Sequence, residues 1–139
     1  LPTSGAYFLM KKINLSNGEI RKLFLWDTPG QEKYRVINKV SMKKANFLIL
    51  GFDITRYESF KEIKNYWYPT TKSFPNIKLI YLIGNQIDRD DERKVNEDEA
   101  RAFALENNLR YFEISCFTGE GVEYFWNDLI NEIVKIIKI

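Results

Sequence analysis

The chain has 139 residues, 45% of them apolar and 29% charged, with a net charge of +2. This suits one domain with one core and leaves no basic stripe for a nucleic acid. The single cysteine, Cys116, excludes an internal disulfide and favours a reducing compartment, and the lack of any histidine removes the commonest general base and most zinc sites.

In chain order, Ala6–Leu15 and Ile20–Asp27 read as strands. Asn17-Gly18 between them is the strongest short hairpin signal, so the two pair antiparallel. The pattern then changes. Phe47–Asp53, Leu79–Gly84 and Tyr111–Ser115 are nearly continuous apolar runs, as expected for strands buried on both faces of a parallel sheet. None approaches the ~20 residues of a membrane span. Thr55-Arg-Tyr-Glu58 has the form of a capping box before Phe60, Ile63 and Trp67 at helical spacing. Asn96-Glu-Asp-Glu99 opens a second helix with Ala100, Phe103 and Ala104 inside. The last helix carries one stripe: Val122, Phe125, Trp126, Leu129, Ile130, Ile133, Val134 and Ile137. A hairpin followed by helix–strand alternation predicts an α/β fold with a mixed, mostly parallel sheet and helices on both faces.

Such sheets bind ligands beyond the carboxyl ends of their strands. Three segments stand there: Asp27-Thr-Pro-Gly-Gln31, Asn85-Gln-Ile-Asp88 and Ser115-Cys-Phe-Thr-Gly119. Asp27 suits a hydrated Mg²⁺, which takes few carboxylates beside water and phosphate oxygens. Gly30 lets its N–H approach a phosphate, since no Cβ intervenes. Gln31 can orient a water by donating and accepting at once. Asp88 can accept N1–H and N2–H₂ of guanine side by side, whereas adenine would leave the carboxylate unpaired. Asn85 would tie neighbouring loops, and Ser115 with the Cys116 N–H would complete the base pocket.

In this order and spacing the motifs resemble the small GTPases of the Ras superfamily. Trp26-Asp-Thr-Pro-Gly-Gln-Glu32 looks like WDTAGQE, Asn85-Gln-Ile-Asp88 like NKxD and Ser115-Cys-Phe117 like SAK. Lys22-Leu-Phe-Leu-Trp26, Phe52-Asp-Ile-Thr55 with Ser59-Phe60, and Thr118-Gly-Glu-Gly-Val122 read as Rab-like wording, and the match runs from Pro2 to the last helix. The resemblance implies one Rab-like G domain over residues 1–139, binding GTP or GDP with Mg²⁺. It gives Thr3 and Asp27 to the metal, Gly30 to the γ-phosphate and Gln31, with the Thr3 carbonyl, to the attacking water. Asn85, Gln86, Asp88, Ser115, Cys116 and Phe117 then surround the base. Residues 1–13 and 30–45 would meet effectors, an exchange factor and a GTPase-activating protein. A monomer in the cytoplasm or on the cytosolic face of endomembranes, regulating vesicle traffic through slow GTP hydrolysis, is the implied whole.

The sequence also departs from that pattern. The family's opening strand, its GxxxxGK[ST] loop and its first helix have no counterpart here, so the chain reads as an N-terminally incomplete piece that starts in switch I. Gln86 and Phe117 stand where lysines usually flank guanine. Phe117 would instead stack on the ring, at about 1–3 kcal/mol by analogy with other base–aromatic contacts, and nucleotide affinity should be weaker. Pro29 replaces the usual alanine and stiffens the entry to switch II. Ser41 falls where Rabs add a third aromatic to those matching Phe8 and Trp26. No cysteine tail for prenylation follows Ile139, so membrane attachment would need a lipidated tail outside this sequence. These departures keep a second reading open: a pseudo-GTPase used as a protein-interaction module, such as one half of a tandem G-domain protein.

Overall fold

The computed structural model describes residues 7–27, 39 and 42–137, without the side chains of residues 7, 8, 26 and 27. Two compact units divide the chain: residues 1–44 with 126–139, and residues 45–125.

In the first unit, β1 (Tyr7–Asn14) pairs antiparallel with β2 (Ile20–Asp27), Phe8 opposite Trp26 and Met10 opposite Phe24. The Asn-Gly turn forms where the sequence places it. Glu19 N–H donates to Asn17 Oδ1 at 2.9 Å, and Leu15 and Glu19 close the turn with a 2.8 Å backbone bond.

The second unit is built on a parallel sheet of β3 (Phe47–Asp53), β4 (Leu79–Asn85) and β5 (Arg110–Glu113), in the order β3-β4-β5. The expected parallel strands and antiparallel hairpin are both present, and among the described residues they form two sheets. Leu50, Phe52 and Leu82 on one sheet face pack with Phe60, Ile63, Ala100 and Ala104 into the main core. Alternation turns Tyr81 to the other face, where Phe125 meets it edge to face at 5.1 Å. Trp67 packs against the main core, so the two rings serve opposite faces of the sheet.

Three helical stretches cover β3 and β4. Helix α1 (Tyr57–Glu62) runs into a π-helical turn (Ile63–Trp67) and then α2 (Tyr68–Thr71). Pro69 explains the widened turn. It has no N–H to give and would strike the carbonyl four residues back in a straight α-helix. Tyr68 N–H instead reaches Ile63 O, five residues back. Thr70 and Thr71 hydroxyls donate to Tyr66 O and Tyr68 O, at 2.6 and 2.5 Å.

The capping box expected at Thr55 does not form. Helix α1 is capped at Arg56 with no side-chain bond. The Thr55 hydroxyl donates instead to Asp53 Oδ1 at 2.6 Å, a carboxylate acceptor only two residues upstream. Asn96 does cap α3 (Glu97–Glu106), its Oδ1 accepting from Asp98 N–H at 2.8 Å and Glu99 N–H at 3.3 Å. Asn96→Ala should therefore cost about 1 kcal/mol in urea-monitored stability. A change within ~0.3 kcal/mol would show that solvent satisfies those donors equally well.

Helix α4 (Val122–Ile137) buries Phe125, Leu129 and Ile133 at four-residue spacing. Its apolar stripe is therefore a packing face, and no helix of the described residues is long and apolar enough to cross a membrane.

Candidate functional site

Strand register sets the site. Asp53 stands opposite Asn85 at the carboxyl ends of β3 and β4, and Gly84 stands opposite Glu113 on β5. The loops leaving β4 and β5 therefore start side by side, where an open α/β sheet offers a crevice.

Four of the expected residues are joined directly. Asn85 Oδ1 accepts from its neighbour's N–H at 2.8 Å and from Cys116 N–H at 3.1 Å, tying the two loops as anticipated. The fully buried Ser115 donates through Oγ to Asp88 Oδ1 at 2.8 Å and accepts from Thr118 N–H at 3.0 Å. A buried hydroxyl with both its donor and an acceptor position used is fixed in rotation, so it fixes the carboxylate in turn. Asp88 is itself exposed, and its Oδ2 has no hydrogen bond among the described residues. The carboxylate thus faces outward with acceptor capacity to spare. Backbone bonds from Ile87 N–H to Ile114 O at 3.2 Å and from Ser115 N–H to Glu120 O at 2.9 Å complete the frame.

Gln86 takes a different place from the one the motif suggests. Its backbone is left-handed, φ 73°, a region that costs a non-glycine residue about 1–2 kcal/mol. Its amide lies against Asp53. With the nitrogen inward it donates to both Asp53 carboxylate oxygens, whereas the reverse orientation would set oxygen against oxygen. Asp53 Oδ1 also accepts from Thr55 N–H at 2.8 Å. Gln86 therefore laces β4 to β3 through its amide. Phe117 is 89% exposed, an aromatic ring presented to solvent at the mouth of the two loops.

Two further residues, absent from the sequence-based set, brace the same loops. Arg93 lies just beyond the 3₁₀ turn (Ile87–Glu92) that carries Asp88. Its fork meets Glu113 twice, Nη2 to Oε1 at 2.8 Å and Nη1 to Oε2 at 3.0 Å. Nε donates to Asp90 Oδ1 at 2.6 Å. Tyr111 Oη donates to Glu113 Oε2 at 2.5 Å. Burial alone raises the Glu113 carboxyl, but the Arg93 fork and the Tyr111 hydroxyl outweigh it and hold it below the usual carboxylate range. Burial pushes the Tyr111 phenol well above its ordinary value, and the bond to Glu113 adds to that. The fit beside this group is tight, since a Cβ on Gly84 would stand 3.0 Å from Tyr111 Oη and 3.1 Å from Phe52.

The residues expected to meet phosphate and metal fall mostly outside the described residues. Thr3, Gly30, Gln31 and Ser41 fall there, and Asp27 is described only as the backbone end of β2, opposite Tyr7. Among the described residues no group of three or more His, Cys, Asp or Glu is placed to hold a metal. The donors expected for Mg²⁺, one hydroxyl and one carboxylate, are of the hard-oxygen kind that ion takes.

A family model described as "Ras family" matches residues 1–135. The chain belongs to the Ras family. Among curated proteins it is similar to "Ras-related protein Rab-21" of Canis lupus familiaris, 30% identical over 139 residues, all of this chain and 62% of that protein. It is 33% identical over 137 residues to "Ras-related protein RABC2a" of Arabidopsis thaliana, covering 97% of this chain and 65% of the relative. It is 35% identical over 134 residues to human "Ras-related protein Rab-30", covering 96% and 65%. The Rab-like reading of the motifs therefore holds, and the chain spans about 62% of the first of these relatives. Ras-family membership carries the general character of a small GTPase switch and, with it, guanine-nucleotide binding as a family property.

Proposed function

We propose that this Ras-family member is a Rab-like switch that binds GDP and GTP with Mg²⁺, reads the base through Asp88 and hydrolyses GTP slowly. The observation that supports it best is the pair of cross-loop bonds, Ser115 Oγ to Asp88 Oδ1 and Cys116 N–H to Asn85 Oδ1. They hold an outward-facing carboxylate rigid at the carboxyl edge of a parallel sheet. A rigid carboxylate is what discriminates guanine, because its acceptors are then satisfied by N1–H and N2–H₂ and by no adenine edge. Phe117 supplies an apolar face for the ring in place of a lysine stem.

Mg²⁺, when bound with the nucleotide, would neutralise phosphate charge, with Thr3 and Asp27 as its donors on this chain. Gln31 would hold the attacking water in line, a role that needs orientation and no early proton removal. Effector, exchange-factor and activating-protein contacts through residues 1–13 and 30–45, and a place on endomembranes, follow from the Rab-like character.

Acid denaturation of the purified full-length protein followed by ion-exchange chromatography should release about one equivalent of GDP or GTP, as expected for a tight site. Recovery of adenine nucleotide only, or of none even after loading with GDP and Mg²⁺, overturns the proposal in favour of the interaction-module reading. For catalysis, Gln31→Leu should slow GTP hydrolysis about tenfold or more in single turnover. An unchanged rate would remove Gln31 from its role.

A further inference from the structure

We infer that Arg93 and Glu113 form a clasp that sets the spacing and orientation of the two base-reading loops, making them specificity-determining positioning residues. This rests on the guanine site proposed above.

The geometry carries the inference. Arg93 is 19% and Glu113 10% exposed in their side chains, so the pair is shielded from water and screened little by salt. Their contact is bidentate, which fixes a plane as well as a distance. The other end of the guanidinium grips Asp90, two residues from Asp88 in the same short turn. Glu113 lies two residues before Ser115, which holds Asp88 from the opposite side. The turn that carries Asp88 is therefore held twice from β5 and the loop after it, at Asp88 itself by Ser115 and at Asp90 by Arg93 braced on Glu113. Tyr111 keeps Glu113 upright by occupying Oε2. Arg93 Nη1 also donates to Val95 O at 3.1 Å, which anchors the far end of the turn to the segment entering α3.

Asp88 has to meet N1–H and N2–H₂ together, and inosine lacks the second donor. The preference for GDP over IDP therefore reports how well Asp88 is aimed, independently of stability. In the full-length protein, Arg93→Met and Glu113→Gln should each lower that preference at least about threefold. GDP release should quicken about tenfold, less than the ~10² that a 1 Å misplacement of a positioned group costs. Arg93→Lys, which keeps the charge and one of the two bonds, should recover part of both effects.

A lower Tm with an unchanged GDP/IDP ratio in Arg93→Met and Glu113→Gln overturns the inference, since it leaves the pair as mere packing. Should the wild-type protein take up no guanine nucleotide at all, the proposed function fails, and amide hydrogen exchange decides the clasp separately. Faster exchange at Cys116 and Thr118 in Arg93→Met sustains it, and unchanged protection there overturns it.

Discussion

Replacing Asp88 by alanine should lower the affinity for GDP and GTP by roughly two to four orders of magnitude. Asp88 carries the one carboxylate of the expected base-contacting set, and it is exposed. Two hydrogen bonds to a charged acceptor are worth about 1.5–3 kcal/mol each, or about 3–6 kcal/mol together. Asp88 is exposed, so the cost to the fold should be confined to the donor that the buried Ser115 hydroxyl then leaves unpaired, about 1–3 kcal/mol. Titration with a fluorescent GDP, alongside a melting curve, separates the two effects. A loss under about tenfold would mean that the base does not lie on Asp88. Asp88→Asn sharpens the test: an amide turned toward C2 presents a donor where guanine also has one. Xanthine, with a carbonyl there, should then be preferred over guanine.

Much of this site was legible because strand ends are marked twice in the sequence. Each apolar run stops abruptly, and the polar residues that follow it carry the motif. Asn85, Asp88, Ser115 and Cys116 were found that way, and the structure joins them. The hairpin was equally plain from Asn17-Gly18. Less legible were interactions that depend on what lies across a strand. Asp53 ends its run as clearly as Asn85 does, but nothing local shows that it captures both Thr55 and Gln86. The capping-box expectation failed for that reason: a four-residue pattern cannot register a competing acceptor upstream. Glu113 did leave a signal. A charge closing a buried strand needs a partner, and Arg93, twenty residues away, is the one it finds. Spacing alone could not choose Arg93 from among the chain's other cations. The π turn at Ile63–Trp67 has its cause in Pro69, yet the local sequence does not say whether a proline ends a helix or widens it.

Gly121→Ala should be the most destabilising of the small substitutions near the site. Gly121 has φ +76°, and a Cβ built on it would stand 2.7 Å from the carbonyl oxygen of Glu113 and 3.4 Å from Ile114. The left-handed backbone costs an alanine about 1–2 kcal/mol, and forcing a methyl against a packed neighbour adds about 1–3 kcal/mol. The obstructing atom is backbone of β5, so no rotamer change relieves it. A fall of about 10 °C in Tm is expected for a chain of this size, at roughly 3–4 °C per kcal/mol. Gly119 provides the internal control. It shares the conformation, φ +87°, but a Cβ there meets nothing within 4 Å. Gly119→Ala should thus show the backbone cost alone, about 1 kcal/mol, and equal losses at the two positions would refute the steric component. The clash also has a direction. It presses on the carbonyl of Glu113, one residue before Ile114 takes its bond from Ile87. The 115–121 loop should therefore shift away from Asp88, and Gly121→Ala should speed GDP release at temperatures where the protein is still folded, whereas Gly119→Ala should not.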